Sequence, residues 1–126
     1  MKKPLIAFLC AASLLATAAH AGAGHDHGPK YGGVTREVSS ITYELVAKSD
    51  SLTLYVSGHG KPIMTRGAKA EAAIYAGNDK TTVVFEPAGD NRMTAKGSFK
   101  VGVGVRVALI VTLVGKSEAK ANFNLK

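Results

Sequence analysis

The sequence predicts an all-β protein: an immunoglobulin-like antiparallel β-sandwich of about seven or eight short strands, preceded by a signal peptide and a flexible arm. Three observations carry that expectation. Beyond Val34, apolar and polar residues alternate at period two through most of the chain, the pattern of half-buried strands. Clusters of glycine, proline, asparagine and aspartate punctuate those runs about every 8 to 12 residues, the spacing of a sandwich or barrel. After the leader, no segment sustains a 3.6-residue period.

The first element is the leader, "MKKPLIAFLCAASLLATAAHA", residues 1–21. Lys2 and Lys3 begin it, an apolar run from Leu5 to about Ala16 follows, and Ala19-His20-Ala21 ends it. A basic start, a short apolar stretch and a small-x-small end make a secretory signal peptide. The run falls short of the roughly 20 residues needed to span a bilayer, so no membrane insertion is expected after cleavage. The only cysteine, Cys10, lies inside the leader behind Leu9, not behind the small residue that lipidation requires. Cleavage after Ala21 gives a periplasmic chain without thiols, in which a metal site must use histidine, methionine, carboxylate or backbone groups.

Residues 22–33, "GAGHDHGPKYGG", are rich in glycine and nearly devoid of apolar side chains. Such a segment buries too little surface to offset its ordering entropy, so it reads as a flexible arm. Residues 34–126 make up the β domain.

Within that domain, "SITYELVAKS" places Ile41, Tyr43, Leu45 and Ala47 on one face, and "SLTLYVSG" places Leu52, Leu54 and Val56. "AKAEAAIYAG" sets Ala70, Ala72 and Ile74 against Glu71, Ala73 and Tyr75. Alanine and glutamate favour helix, but the run is short and stops at Gly77-Asn78, so it reads as a strand. "KTTVVFEP" is a β-branched run, "VRVALIVTLVG" aligns Val105, Val107, Leu109, Val111 and Leu113, and "EAKANFNLK" aligns Ala119, Ala121, Phe123 and Leu125. Turn chemistry separates them at "KSDS" (48–51), "GHGKP" (58–62), "AGND" (76–79), "PAGDN" (87–91) and "VGKS" (114–117), each supplying residues that tolerate positive φ or preset a turn. Greek-key connections are expected.

Composition excludes several functions. The chain has 16 Lys and Arg against 9 Asp and Glu, a formal charge of +7. Lys48, Arg66, Lys80, Arg92, Lys100 and Lys116 are scattered among turns and strands, whereas nucleic-acid binding needs a clustered basic footprint. There is no GxSxG elbow and no glycine-rich loop joining strand to helix. Glu44, Glu71 and Glu118 fall on polar strand faces, where solvated charge is the ordinary role. No nucleophile, base and orienting group fall together, so an enzyme is not expected.

The histidines are the most informative polar residues. His25 and His27 flank Asp26, and in an extended segment alternate side chains point the same way. Imidazole with carboxylate suits Zn²⁺, Cu²⁺ or Ni²⁺. Two imidazoles fall short of the usual three or four ligands, leaving room for His59, the new N-terminal amine, water or a second protein. Trimming to Ala23 would put His25 third, where amine, two amides and imidazole make a square-planar site. His59 sits in "SGHGKPIM" at a hairpin tip, with Met64 as a candidate thioether; Met64 and Met93 also suit core filling.

The run "HGPKYGGVTREVSSITYELVAKSDSLTLYVSGHGKPIMTRGAKAEAAIYAG", with "PAGDNRMTAKGSFKV" and "VTLVGK", resembles a family of small periplasmic proteins of metal-exposed Gram-negative bacteria. These accompany heavy-metal efflux systems of the resistance–nodulation–division type. It is also similar to an N-terminal β domain of some periplasmic adaptor subunits of those pumps. The resemblance implies a periplasmic β-sandwich that binds or buffers a transition metal, or that meets a pump component. It places the family's histidine-rich start on His25 and His27 and its turn histidine on His59. The inserted "PKY" between Gly28 and Gly32 departs from the pattern.

The expectation is therefore a periplasmic carrier or buffer of copper or zinc, with His25, Asp26, His27 and His59 as its metal residues. The alternative is an interaction module without metal that docks on an efflux adaptor through a strand edge.

Overall fold

A computed structural model describes residues 28–126; the segment expected to be a signal peptide and His25, Asp26 and His27 lie outside the described residues. The described chain is all-β and antiparallel. Its strands are β1 (Val34–Val38), β2 (Ile41–Lys48), β3 (Ser51–Gly58), β4 (Lys61–Pro62), β5 (Lys69–Ala76), β6 (Asp79–Pro87), β7 (Arg92–Lys96), β8 (Arg106–Thr112) and β9 (Ala119–Asn124).

Seven or eight strands in two packed sheets are expected from the sequence; the described residues form nine in one continuous sheet ordered β1-β2-β3-β7-β6-β5-β8-β9, with β4 beside β3. The joint is β6. It pairs with β5 from Asp79 to Phe85, then with β7 through Glu86↔Thr94 and Pro87↔Met93. The far edges approach as well, where the Arg36 Nε of β1 donates to the Asn122 carbonyl of β9 at 2.7 Å. The result is a nearly closed, barrel-like sheet. The three consecutive strands β5, β6 and β7, with β8 returning beside β5, form the expected Greek key.

Period-two alternation decides what lies inside. Tyr43, Leu45, Leu52, Leu54, Val56, Met93, Leu109 and Phe123 are among the most buried side chains. The strand reading of "AKAEAAIYA" holds: Ala70, Ala72 and Ile74 face the core, and tertiary packing overrides helix propensity. Small alanines on β5 leave room for the larger Phe85, Leu109 and Val111 that complete this core. The β7–β8 connection crosses one end, plugged by buried Phe99 and stitched by Phe99 N to the Ser49 carbonyl.

The opposite end positions the site. Antiparallel order places the β1–β2, β3–β4 and β6–β7 turns there together. The non-glycine residues with left-handed backbone among those described, Ser39 (φ 53°), Ser40 (φ 66°), His59 (φ 54°) and Asp90 (φ 49°), all lie in these three turns. Left-handed backbone disfavours residues carrying a Cβ and gathers at functional sites.

Candidate metal-binding groove

Outward residues of β1, β2 and β3 form the floor of a groove at that end. Register aligns Glu37 with Thr42, Thr42 with Ser57, and Glu44 with Tyr55. The rim comes from Ser40 and from His59 and Gly60 of the β3–β4 hairpin, and the root of the arm closes one side from Gly28 to Tyr31.

Glu44 departs from its expected role. The sequence places it on a polar strand face as a solvated carboxylate, but it is 4% exposed. The arm covers it. Lys30 N donates to Oε1 at 2.7 Å, while Tyr31 N and Gly33 N donate to Oε2 at 2.7 and 2.8 Å. Each bond to a charged acceptor is worth about 1.5–3 kcal/mol net, which offsets burial of the carboxylate. Two glycines permit the wrap. Gly32 has φ 83°, a left-handed step that lets amides on both sides of it converge on one anion, as in a backbone nest. A Cβ on Gly33 would stand 2.3 Å from the Leu45 carbonyl oxygen, so only glycine fits this approach. The ring of Tyr31 lies on Tyr55, with centroids 3.7 Å apart and planes 8° from parallel. Residues 30–33, assigned to the flexible arm by composition, are thus fastened to the sheet.

His59 occupies the predicted hairpin tip. With Gly60 at φ 79° and the Gly58↔Lys61 pair below it, the turn has both central residues left-handed, the type I′ arrangement that favours Asn-Gly. Histidine stands where asparagine fits better. Its ring is exposed and borders the groove with Gly28. Asn91, 9% exposed, also borders it; its side-chain amide donates to the Val56 carbonyl at 3.0 Å.

The structure brings His59 and the arm root to one groove, and His25, Asp26 and His27 lie outside the described residues. Among the described residues, no three histidine, cysteine or carboxylate side chains cluster to hold a metal ion. His59 and Glu37 therefore supply at most part of a ligand set from the body. Met64 is 55% exposed and lines a different surface with Arg66, Pro87 and Asp90, whereas Met93 is core. Sequence reasoning missed Glu44 because its polar period-two position matches that of any surface glutamate. Its one local signal is the pair of glycines at 32 and 33, which allow the backbone to approach. Comparison of the chain with family models, with curated proteins and with solved structures finds no match.

Proposed function

We propose that this chain is an exported metal-binding protein that holds copper or zinc between the arm residues His25, Asp26 and His27 and the hairpin residue His59. The observation that carries this reading is the shared groove: Gly28 and His59 line it together. His27 is the residue before Gly28 and His25 is two further back. A chain extends at most about 3.3–3.6 Å per residue, so covalent reach alone keeps the Cα atoms of both histidines within about 11 Å of that of Gly28. The left-handed backbone at His59 adds support, since a residue kept where another would be more stable points to a role beyond folding.

Few ligands and a solvent-facing groove suit a carrier or buffer with exchangeable metal. The leader sequence supports a periplasmic setting, and the resemblance to proteins beside heavy-metal efflux pumps supports a place in metal resistance. On this reading the Greek-key body serves as an immunoglobulin-like scaffold. Protons compete for imidazole, so affinity falls as pH drops through about 6.5. The test is titration of the exported protein with Cu²⁺ and Zn²⁺, compared with the His25→Ala/His27→Ala and His59→Ala variants. Binding weakened in both supports the composite site, and equal affinity in all three removes it.

A second reading has its own observation. On its β7 side, β6 has ladder partners only at Glu86 and Pro87, and Val84 on the same strand is 68% exposed. A strand with a free edge can accept a partner strand, which suits docking on an efflux adaptor. Loss of binding to a purified adaptor in a Val84→Lys variant, with metal binding unchanged, would favour this module.

A further inference from the structure

We propose that the end of the barrel opposite the groove is a membrane-docking surface, where Val101 and Val103 enter the interface of an anionic bilayer and the surrounding cations meet its phosphates. The proposal is independent of the metal reading and concerns residues which that reading leaves unused. Val103 is 88% exposed and Val101 39% exposed. Both sit on the β7–β8 connection, in the run Lys100-Val101-Gly102-Val103-Gly104. Val105 N donates to the Gly102 carbonyl at 3.1 Å, which closes a tight turn over Val103. Gly104 has φ 92°, the left-handed step that a type II turn asks of glycine at its third position. Polar residues ordinarily fill such turns, and both valines lie outside the core.

The fold gathers here cations that the sequence scatters. Antiparallel order brings the ends of β2 and β7 and the starts of β6 and β8 to this end, and with them the exposed Lys48, Lys96, Lys80 and Arg106. Lys100, beside Val101, adds another. Register sets Lys48 and Lys96 on either side of Ser51, and Lys80 and Arg106 on either side of Tyr75. Lys80 Nζ lies 5.8 Å and the Arg106 guanidinium 4.4 Å from the centre of the Tyr75 ring, so one ring holds two like charges ready for an anion. The carboxylates at this end are Asp50 and Asp79, and Lys100 pairs with Asp79 at 2.5 Å. The groove end, by contrast, mixes its cations with Glu37, Glu86, Asp90 and Glu118.

An apolar tip inside a cationic rim identifies the partner by its chemistry. A polyanion such as nucleic acid offers charge alone and leaves Val101 and Val103 in water. An anionic bilayer offers phosphates for the cations and, beneath them, hydrocarbon for short apolar side chains. Two valines anchor weakly, so the contact is reversible and leans on charge. It needs no spanning segment, and among the described residues no helix is long and apolar enough to cross a membrane. Docking at this end points the groove of Glu44 and His59 away from the bilayer, into the aqueous phase.

The experiment measures binding of the exported protein, without added metal, to vesicles of phosphatidylcholine alone and of phosphatidylcholine mixed with phosphatidylglycerol. Binding is expected with the anionic vesicles only and should be lost in strong salt. Each surface cation is worth about fivefold in affinity at such a membrane, so Lys48→Gln/Lys96→Gln should weaken binding about 25-fold. Val103→Ser, a change at an exposed apex, should weaken it about tenfold. The chain has no tryptophan, so single-tryptophan variants report which end enters. Emission from Val103→Trp should shift to the blue on anionic vesicles. Emission from Val114→Trp, at a position 66% exposed at the groove end, should stay where it is. Equal shifts from both variants, binding indifferent to Val103→Ser, or no binding to the anionic vesicles each overturn the proposal. So does poly-glutamate that binds as tightly as the vesicles whether or not Val103 is present.

Discussion

Replacing His59 by asparagine should make the protein more stable and a poorer metal binder at once. His59 has φ 54° and is followed by Gly60 at φ 79°, so both central residues of the hairpin are left-handed. Crowding of Cβ against the carbonyl costs an L-residue there roughly 1–2 kcal/mol, and asparagine escapes much of it through local hydrogen bonding. Histidine is less averse to this region than most residues, so the expected gain is about 0.5–1 kcal/mol. His59 is exposed and lies outside the core, so no packing loss opposes the gain. At ~4–8 °C per kcal/mol for a body of this size, the metal-free variant should melt about 2–8 °C higher. Metal reverses the order. At free metal near 100 times Kd, a native-state ligand adds about 2.7 kcal/mol, and this increment should shrink in the variant. Thermal melts by circular dichroism with and without Zn²⁺ therefore cross. A variant that melts lower without metal would refute the backbone argument, and equal metal-induced shifts would refute the ligand role of His59.

The remaining predictions concern the scaffold. Gly33→Ala drives a Cβ against the Leu45 carbonyl oxygen at 2.3 Å; overpacking of this kind costs about 1–3 kcal/mol, read from urea denaturation, and unchanged stability would contradict the close approach. Burial raises the Tyr43 phenol above its ordinary value, so its contribution to stability is intact below about pH 10 and fades as pH climbs through the higher folded value. Ultraviolet titration should show one of the four tyrosines ionising late and together with unfolding; four ordinary titrations would count against it. The Lys100 ammonium, bonded to Asp79 at 2.5 Å, lowers that carboxyl through the hydrogen bond and its charge, and Asp79 in turn raises Lys100. The Asp79 contribution holds above the usual aspartate range and is lost as pH falls through the depressed value; that of Lys100 is lost as pH rises through its raised one. NMR titration should return Asp79 towards normal in Lys100→Ala or in strong salt, and an Asp79 titration unmoved by either change would exclude the pair.

Strands with strict alternation are legible in the sequence itself. Leu52, Leu54 and Val56 face inward as expected, as do Val107, Leu109 and Val111, because period two leaves one solution once a single face is apolar. The turns at 58–62, 76–79 and 87–91 were legible through glycine, asparagine and proline. The sequence reading did not identify β1, β4 and β7. "VTREV" and "RMTAK" are short and charged, and β4 has two residues; such segments pair because their neighbours supply a ladder. Closure of the sheet was illegible for a similar reason, since it depends on β6 changing partners at Glu86. Of the site, His59 was visible as an isolated histidine in a turn. Glu44 was not, because its burial comes from a segment whose composition argues against order.

The fastening of Lys30, Tyr31 and Gly33 to β2 has a mechanical consequence. Tension on the N-terminus does not reach β1 first. It meets three bonds to one carboxylate that share the load, because two amides pull on one oxygen and the third on its twin. Only after these rupture would β1 peel from β2, leaving the margin where Arg36 reaches across to Asn122. Tugging on the tether would thus be absorbed at Glu44, and the barrel wall behind it would stay shut.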